Sequence, residues 1–315
     1  YRGDDLMKKR FEIKNWISVI VLAALFVVLG TMSGGKLITP LNIKNLLEQS
    51  LPIIIGGAGV IYIIAMGSTD LSIGGTAAVS ATAACMVASR FGFVWFFPVS
   101  IAIGLGIGLL NGIVVSKCRV SSFMTTLAML IGLKGLLAAL VGDNIIIAPM
   151  QIIALNKIQF KVVFTIVVVV VFGFIFESTR FGRYCKVMGE NEQMVLSMGV
   201  NVNKIRIIAY VISGFIGSLV GIMMLIQQGG SSTTMGSFLE MKVMMAIYLG
   251  GVLVSGGLSS KVYKMIIGAF TISVMVTGLY LAGISPDYLN AIEGVLLMIV
   301  LFLTMRFNRG KGRTE

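Results

Sequence analysis

Apolar stretches long enough to cross a bilayer recur along this chain, and that recurrence limits what it can fold into. A membrane-crossing helix needs about twenty predominantly apolar residues. Ten candidates fall at about residues 16–32, 46–67, 71–89, 94–116, 121–141, 160–176, 207–228, 242–257, 265–283 and 289–305. Lipid offers no partner to a bare peptide group, so such segments must satisfy their own backbone. The expected fold is therefore all-α, a polytopic membrane protein of about ten transmembrane helices, with eight as the lower bound. The segment 242–257 is short and carries Gly250, Gly251, Gly256 and Gly257, so it can re-enter instead of spanning. The spans 46–67 and 71–89 meet at Met66–Gly75, which is too short for an ordinary loop. Either a tight hairpin or a broken helix is expected around Asp70, buried in protein or lining a cavity.

The remaining long polar run is Glu177–Arg206, between spans six and seven. It holds Arg180, Arg183, Lys186, Lys204 and Arg206 against Glu177, Glu190 and Glu192. Short basic loops resist translocation, so this insert is expected on the cytoplasmic side. Lys8, Lys9, Arg10 and Lys14 precede the first span and put the N-terminus on that side too. Alternation then places 18 of the 25 Lys and Arg residues inside, including Lys117, Arg119, Lys261, Lys264 and the tail at 306–313. Both termini are expected in the cytoplasm. No cleavable signal peptide is expected, because the basic N-terminal residues lead into a full-length span. The insert either fixes topology alone or docks a cytoplasmic partner.

Composition narrows the class. Hydrophobic residues make up 57% of the chain and charged residues 12%. The net charge of +12 sits beside apolar spans, where it meets anionic headgroups; it does not indicate a nucleic-acid partner. The 38 glycines fit close helix packing, and the spacings Gly104-Gly108-Gly112 and Gly217-Gly221 suggest which helices approach most closely. There is no histidine, and Cys85, Cys118 and Cys185 have no metal-like spacing. No metal, haem or nucleophile–base constellation presents itself.

Gly30–Leu37 nearly matches a phosphate-binding loop but has Leu37 where a magnesium-binding hydroxyl is required, and no strand precedes it. The chain is thus expected to hold no nucleotide, leaving any ATP to another subunit. Asp70 and Ser72 stand before an alanine-rich helix, where either can act as an N-cap or contact a solute. The ionisable residues within or beside spans are Lys134, Glu240, Lys242 and Glu293. That is thin equipment for an ion-coupled carrier, which needs carboxylates or histidines at mid-depth. Asp70, Ser72, Asn111 and Glu293 are the candidates for a pathway or gate.

Four ordered blocks carry a family resemblance between about Asn42 and Thr304. They are Gly67–Gly74; Leu110–Gly112 with Phe123–Leu127 and Lys134–Leu136; Thr179–Tyr184 through Gly189–Glu192 and Gly199–Arg206; and Leu249–Gly251 through Gly256–Gly257 and Gly268–Ala269. The chain resembles the permease subunit of bacterial simple-sugar ABC importers, the ribose, xylose and galactose group, related to branched-chain amino-acid permeases. It departs from the pattern at Gln193, Met194 and Met198, where smaller residues are usual, at Ser121-Ser122 and at Ser259-Ser260-Lys261.

The resemblance implies a single permease domain over residues 1–315 in the bacterial cytoplasmic (inner) membrane. Its parts are a cytoplasmic 1–15, a coupling segment 177–206 and a cytoplasmic tail 306–315. It implies a second permease chain (identical or a sister), cytoplasmic ATPase subunits that hold ATP and magnesium, and an extracytoplasmic solute-binding protein. This chain would be neither an enzyme nor a cofactor carrier. A short coupling helix would dock in the ATPase, with Arg183, Gly189, Asn191, Glu192, Gly199 and Asn203 as its functional residues. The solute would be small and hydrophilic, a monosaccharide first. Nucleosides, an autoinducer-type furanose and amino acids are alternatives, and an ion-coupled carrier is the rival mechanism.

Overall fold

A 26-residue helix, α2 (Pro40–Ala65), forms the axis of the molecule, and most of its length is buried. The computed structural model describes residues 18–285 together with 288–289, 291–292, 294–295, 298 and 302. Glu293, the basic residues before 18 and the tail 306–315 lie outside the described residues. Helix α1 (Ser18–Met32) precedes α2. There follow α3 (Ile73–Phe91), α4 (Phe96–Lys117), α5 (Ser122–Val141), the short α6 (Met150–Ile153) and α7 (Ile158–Ser178). The polar insert forms α8 (Arg180–Glu190) and α9 (Glu192–Ser197), and α10 (Val202–Gln228), α11 (Leu239–Leu249) and α12 (Val262–Leu281) complete the series.

Among the described residues six helices are long and apolar enough to cross a membrane: α2, α4 with its preceding turn, α5, α7, α10 and α12. This multi-pass architecture agrees with the expected class, and the segment 242–257, expected either to span or to re-enter, forms half a span. Helix α11 ends at Leu249; its 11 residues cover about 16 Å, half of a hydrocarbon core. The glycines stop it. Gly251, Gly256 and Gly257 take φ values of 92°, 76° and 81°, a left-handed backbone that breaks the helix. The all-helical expectation also gains a small exception, an antiparallel pair between β1 (Ile146–Ile147) and β2 (Gly230–Ser231).

Glycine spacing sets the tightest contacts. A side chain on Gly104 would run into Gly214 O, and one on Gly108 into Tyr210 O, so α4 and α10 touch backbone to backbone. Gly221 stands in the same relation to Ala77 O of α3. Both expected glycine motifs therefore pack within the chain. In lipid such van der Waals contact drives association where the hydrophobic effect between helices is absent.

Pro52 lies inside α2 and is buried. A proline cannot donate to the carbonyl four residues back, which here belongs to Glu48. Gln227 of α10 fills that vacancy, its Nε2 donating to Glu48 O at 2.8 Å. The Glu48 carboxylate also pairs with buried Lys161 of α7 at 2.9 Å. We expect Gln227→Leu to leave the carbonyl orphaned and to destabilise the protein by about 1–3 kcal/mol. A thermal-shift series in detergent checks this; a midpoint equal to that of the parent chain would contradict it.

Candidate functional site

Two polar layers lie toward the Ala65 end of α2. The deeper layer surrounds the break between α2 and α3. Helix α2 stops at Ala65 because Gly67 turns the chain at φ 70°. Residues 68–72 then run without helix until α3 starts at Ile73. The buried Asp70 carboxylate organises this run. Its Oδ1 accepts from Ser72 N at 2.9 Å and from Ser72 Oγ at 2.7 Å, and its Oδ2 accepts from Ser213 Oγ at 2.6 Å. Asn111 Nδ2 donates to Ser72 Oγ at 2.8 Å. Tyr210 OH donates to Thr69 O at 3.0 Å, and Thr69 N donates to Ser122 Oγ at 3.2 Å.

These bonds join α4, α5 and α10 to the break. Asp70, Ser72 and Asn111, read from the sequence as neighbours in function, are neighbours in space. Their roles differ from simple capping. Ser72 is the residue before α3, yet it makes no side-chain cap bond. Asp70 closes a local turn onto Ser72 and reaches α10 instead. Ser213 and Tyr210 were not singled out in the sequence, where a serine and a tyrosine on an apolar helix carry no mark.

The outer layer is the pair α8 and α9. Thr179 starts α8 with its Oγ1 accepting from Gly182 N. The buried face of α8 holds Cys185, Lys186 and Met188. Glu177, the penultimate residue of α7, holds it down. Its Oε2 pairs with Lys186 at 2.6 Å and Lys261 at 3.4 Å, and its Oε1 accepts from Val262 N at 3.0 Å. The ammonium of Lys186 lies 4.3 Å from the Phe176 ring centre. Gly189 allows the closest approach, since a side chain there would run into Ala65 O. Glu190 Oε1 accepts from Leu258 N at 3.0 Å. So α8 rests on the ends of α2 and α7 and on the glycine turn after α11.

Asn191 separates the two helices with an extended backbone and caps α9, its Oδ1 accepting from Gln193 N at 2.9 Å and Met194 N at 3.3 Å. Glu192 pairs with Arg206 at 2.9 Å. Gly199 turns at φ 74°, and Asn201 Oδ1 accepts from Lys204 N to begin α10. Along α9 and its end, Met194, Leu196 and Met198 are 54%, 46% and 60% exposed. An open cleft of about 770 Å³ separates this turn from the α4–α5 turn, and Arg119, Ser122, Glu192, Leu196, Asn203 and Arg206 line it. Of the coupling residues read from the sequence, Glu192, Gly199 and Asn203 share this cleft. Gly189 is packed inward, and Arg183 donates to Ser178 O at 3.0 Å. Glu177 is the first charge of the polar run, but nothing in the sequence marks it as the hub that holds α8 to α7 and to the start of α12.

The two cysteines at this end test the packing of α8. Cys118 is exposed and Cys185 is buried; burial pushes the Cys185 thiol up to about 12. Reaction needs the thiolate. A maleimide at neutral pH is expected to modify Cys118 and leave Cys185 intact, as peptide mass spectrometry would report. Rapid modification of Cys185 would mean that α8 does not rest on α7 as described.

Comparison with known proteins places the chain in a family. Residues 42–301 match the family model described as "Branched-chain amino acid transport system / permease component". The ribose import permease protein RbsC of Escherichia coli (strain K12) is 28% identical over 314 residues, covering 94% of this chain and 96% of the relative. The L-arabinose ABC transporter permease protein AraH of Azospirillum brasilense is 29% identical, covering 92% and 88%. A solved chain in an inward-facing conformation, assigned to the metal-chelate type of ABC transporter, aligns with TM-score 0.52 and 15% identity. It covers 89% of this chain and 97% of its own, a likeness of fold.

Proposed function

Because the chain belongs to the branched-chain amino acid transport system / permease component family, we propose that it is the membrane permease of an ABC importer for a monosaccharide. The observation that carries this reading is α9. It is a six-residue helix fixed from behind by α8 and capped by Asn191, and it presents Met194, Leu196 and Met198 bare. Too short to be stable alone, it is placed by its neighbours and offers an apolar face suited to a protein cleft. A cytoplasmic ATPase is the partner we assign to it. Segment 177–206 then couples the machine: Asn191 and Gly199 shape α9, Gly189 and Arg183 seat α8, and Glu192 and Asn203 face the cleft.

ATP is hydrolysed with magnesium on that separate subunit. Closure of the ATPase pair pushes on α9, and α8 passes the push to the ends of α2 and α7 and to the turn before α12. Coupling requires contacts that differ between two states. The Asp70–Ser72–Asn111–Ser213 network is the element we assign to the gate, with Glu293 as a pathway residue. A second permease chain completes the pathway, a solute-binding protein delivers the sugar from outside, and both termini are cytoplasmic in a bacterial inner membrane. Relatives named for ribose, arabinose, fructose and galactofuranose support a sugar as the solute.

A mild-detergent pull-down from the native membrane, followed by uptake in vesicles loaded with ATP, tests the reading. An ATPase recovered in stoichiometric yield and uptake that stops without ATP are the expected results. A chain that comes down alone and transports under an ion gradient would overturn the reading and direct attention to Glu293.

A further inference from the structure

Helices α3 and α11 begin beside the same stretch of α2. A methyl group on Gly56 of α2 would meet Val243 at 2.9 Å and Ile73 at 3.5 Å, so the starts of α11 and α3 flank the same point of α2. That point is about 24 Å from Pro40 and about 14 Å from Ala65 at the helical rise. The chain arrives at α11 through Phe238, a non-glycine residue at φ 60°. There Gly74 and Gly236 meet backbone to backbone: a side chain on either would run into the carbonyl of the other.

Glu240 lies against this junction. It is only 5% exposed, and its Oε2 makes no hydrogen bond. A side chain on Gly74 would run into that same oxygen. The first turn of α3, whose N-terminal N–H groups carry partial positive charge, has no side-chain cap. From α5, Lys134 reaches the same place, its Nζ donating to Met235 O at 3.1 Å and Ser237 Oγ at 2.9 Å. A buried carboxylate oxygen left unpaired is costly, and ionisable groups inside a membrane bundle mark solute pathways. Short or interrupted helices that meet at mid-depth are where transporters hold their solutes.

From this geometry we propose that Lys134 and Glu240 form a solute-holding station at the junction of α3 and α11, with Ser237 at its rim, suited to an uncharged polyhydroxylated molecule. The proposal rests on the importer reading above. Glu240 Oε2 accepts from a solute hydroxyl, and Lys134 and the free N–H groups of α3 donate to its oxygens. The carboxylate and the ammonium balance, so a neutral solute leaves the junction neutral, whereas a phosphorylated sugar would not. Ser237 and Phe238 are exposed and form the rim. Glu240 stands behind the Gly74–Gly236 contact, which must part before the solute is fully held.

The test uses the full chain with its ATPase and binding protein in proteoliposomes, offered D-ribose, L-arabinose and D-fructose in turn. With the exposed Cys118 replaced by Ser, Ser237→Cys supplies one reactive thiol. The sugar that is taken up is expected to slow its modification by a small charged thiol reagent. Glu240→Gln removes a hydrogen bond to a charged group and should lower uptake roughly 10- to 100-fold. ATP hydrolysis stimulated by the loaded binding protein should persist, and Glu240→Asp should recover part of the uptake. If the parent imports a sugar, but Glu240→Gln imports it equally and the thiol is not protected, the station is overturned and the importer reading stands. If the parent imports none of the three under ATP, the importer reading falls and takes the station with it. Should Glu240→Gln fail to accumulate, the thiol decides alone, because Ser237 is on the surface and its replacement disturbs no buried packing.

Discussion

Combining Asn191→Arg with Glu192→Lys is expected to leave the chain in the membrane and to lower ATP-driven uptake by roughly 10- to 100-fold, the scale of a coupling free energy. The two changes act locally. Asn191 supplies the cap of α9 through Gln193 N and Met194 N, and losing such a cap costs about 1 kcal/mol. The exposed pair between Glu192 and Arg206 contributes less than about 1 kcal/mol. Neither loss threatens a bundle whose core lies in α2, α10 and α12. Yet α9 has six residues, and a helix that short does not persist once its cap is gone. Met194, Leu196 and Met198 then lose their fixed presentation, and two new cations replace a carboxylate at the docking face. Uptake normalised to membrane abundance is the measurement. Parental uptake in the double variant would remove α9 from the coupling role. Asn191→Asp, which keeps an acceptor for both N–H groups, should transport near the parental level.

What the sequence made legible follows from the range of each signal. The spans were readable because hydropathy is a local property summed over twenty residues, and α4, α5, α7, α10 and α12 begin and end within a few residues of expectation. The break near Asp70 was readable for the same reason, since a polar turn interrupts two apolar runs. Its partners were not, because Ser213 lies 143 residues away and is one serine among many on apolar helices. At 242–257 hydropathy alone could not choose between spanning and re-entry, since the residues after Leu249 stay apolar; the glycines that suggested re-entry adopt left-handed backbone and end the helix. Gly189 and Gly199 looked alike in the sequence and do different things. One admits the backbone of α2, and the other turns the chain. Glu177 was visible as the first charge of the polar run, but its contacts with Lys261 and Val262 lie 84 and 85 residues away and were not. Glu240 and Lys134 were noticed as charges near spans, but only the fold brings α3 and α11 together beside them.

Asp70→Ala is expected to abolish uptake and also to destabilise the protein by more than the loss of a cap. Removing the carboxylate leaves Ser72 N, Ser72 Oγ and Ser213 Oγ without their acceptor. Hydrogen bonds to a charged group contribute about 1.5–3 kcal/mol each, although the three are not additive, so a loss of about 3–5 kcal/mol is expected. A cap alone would give about 1 kcal/mol, and a thermal midpoint in detergent separates the two cases. Asp70→Asn divides geometry from charge. Its carbonyl can still accept from Ser72, and its amide can donate to the Ser213 hydroxyl, so the fold should be largely retained. If the network only holds α3, α4 and α10 in place, Asp70→Asn transports. If the gate works by releasing charge-assisted bonds from one arrangement and remaking them in another, weakening them shifts the balance between states. We expect the second result: near-parental abundance with uptake strongly reduced. Full uptake by Asp70→Asn would make Asp70 a structural fastening and move the gate elsewhere in the bundle.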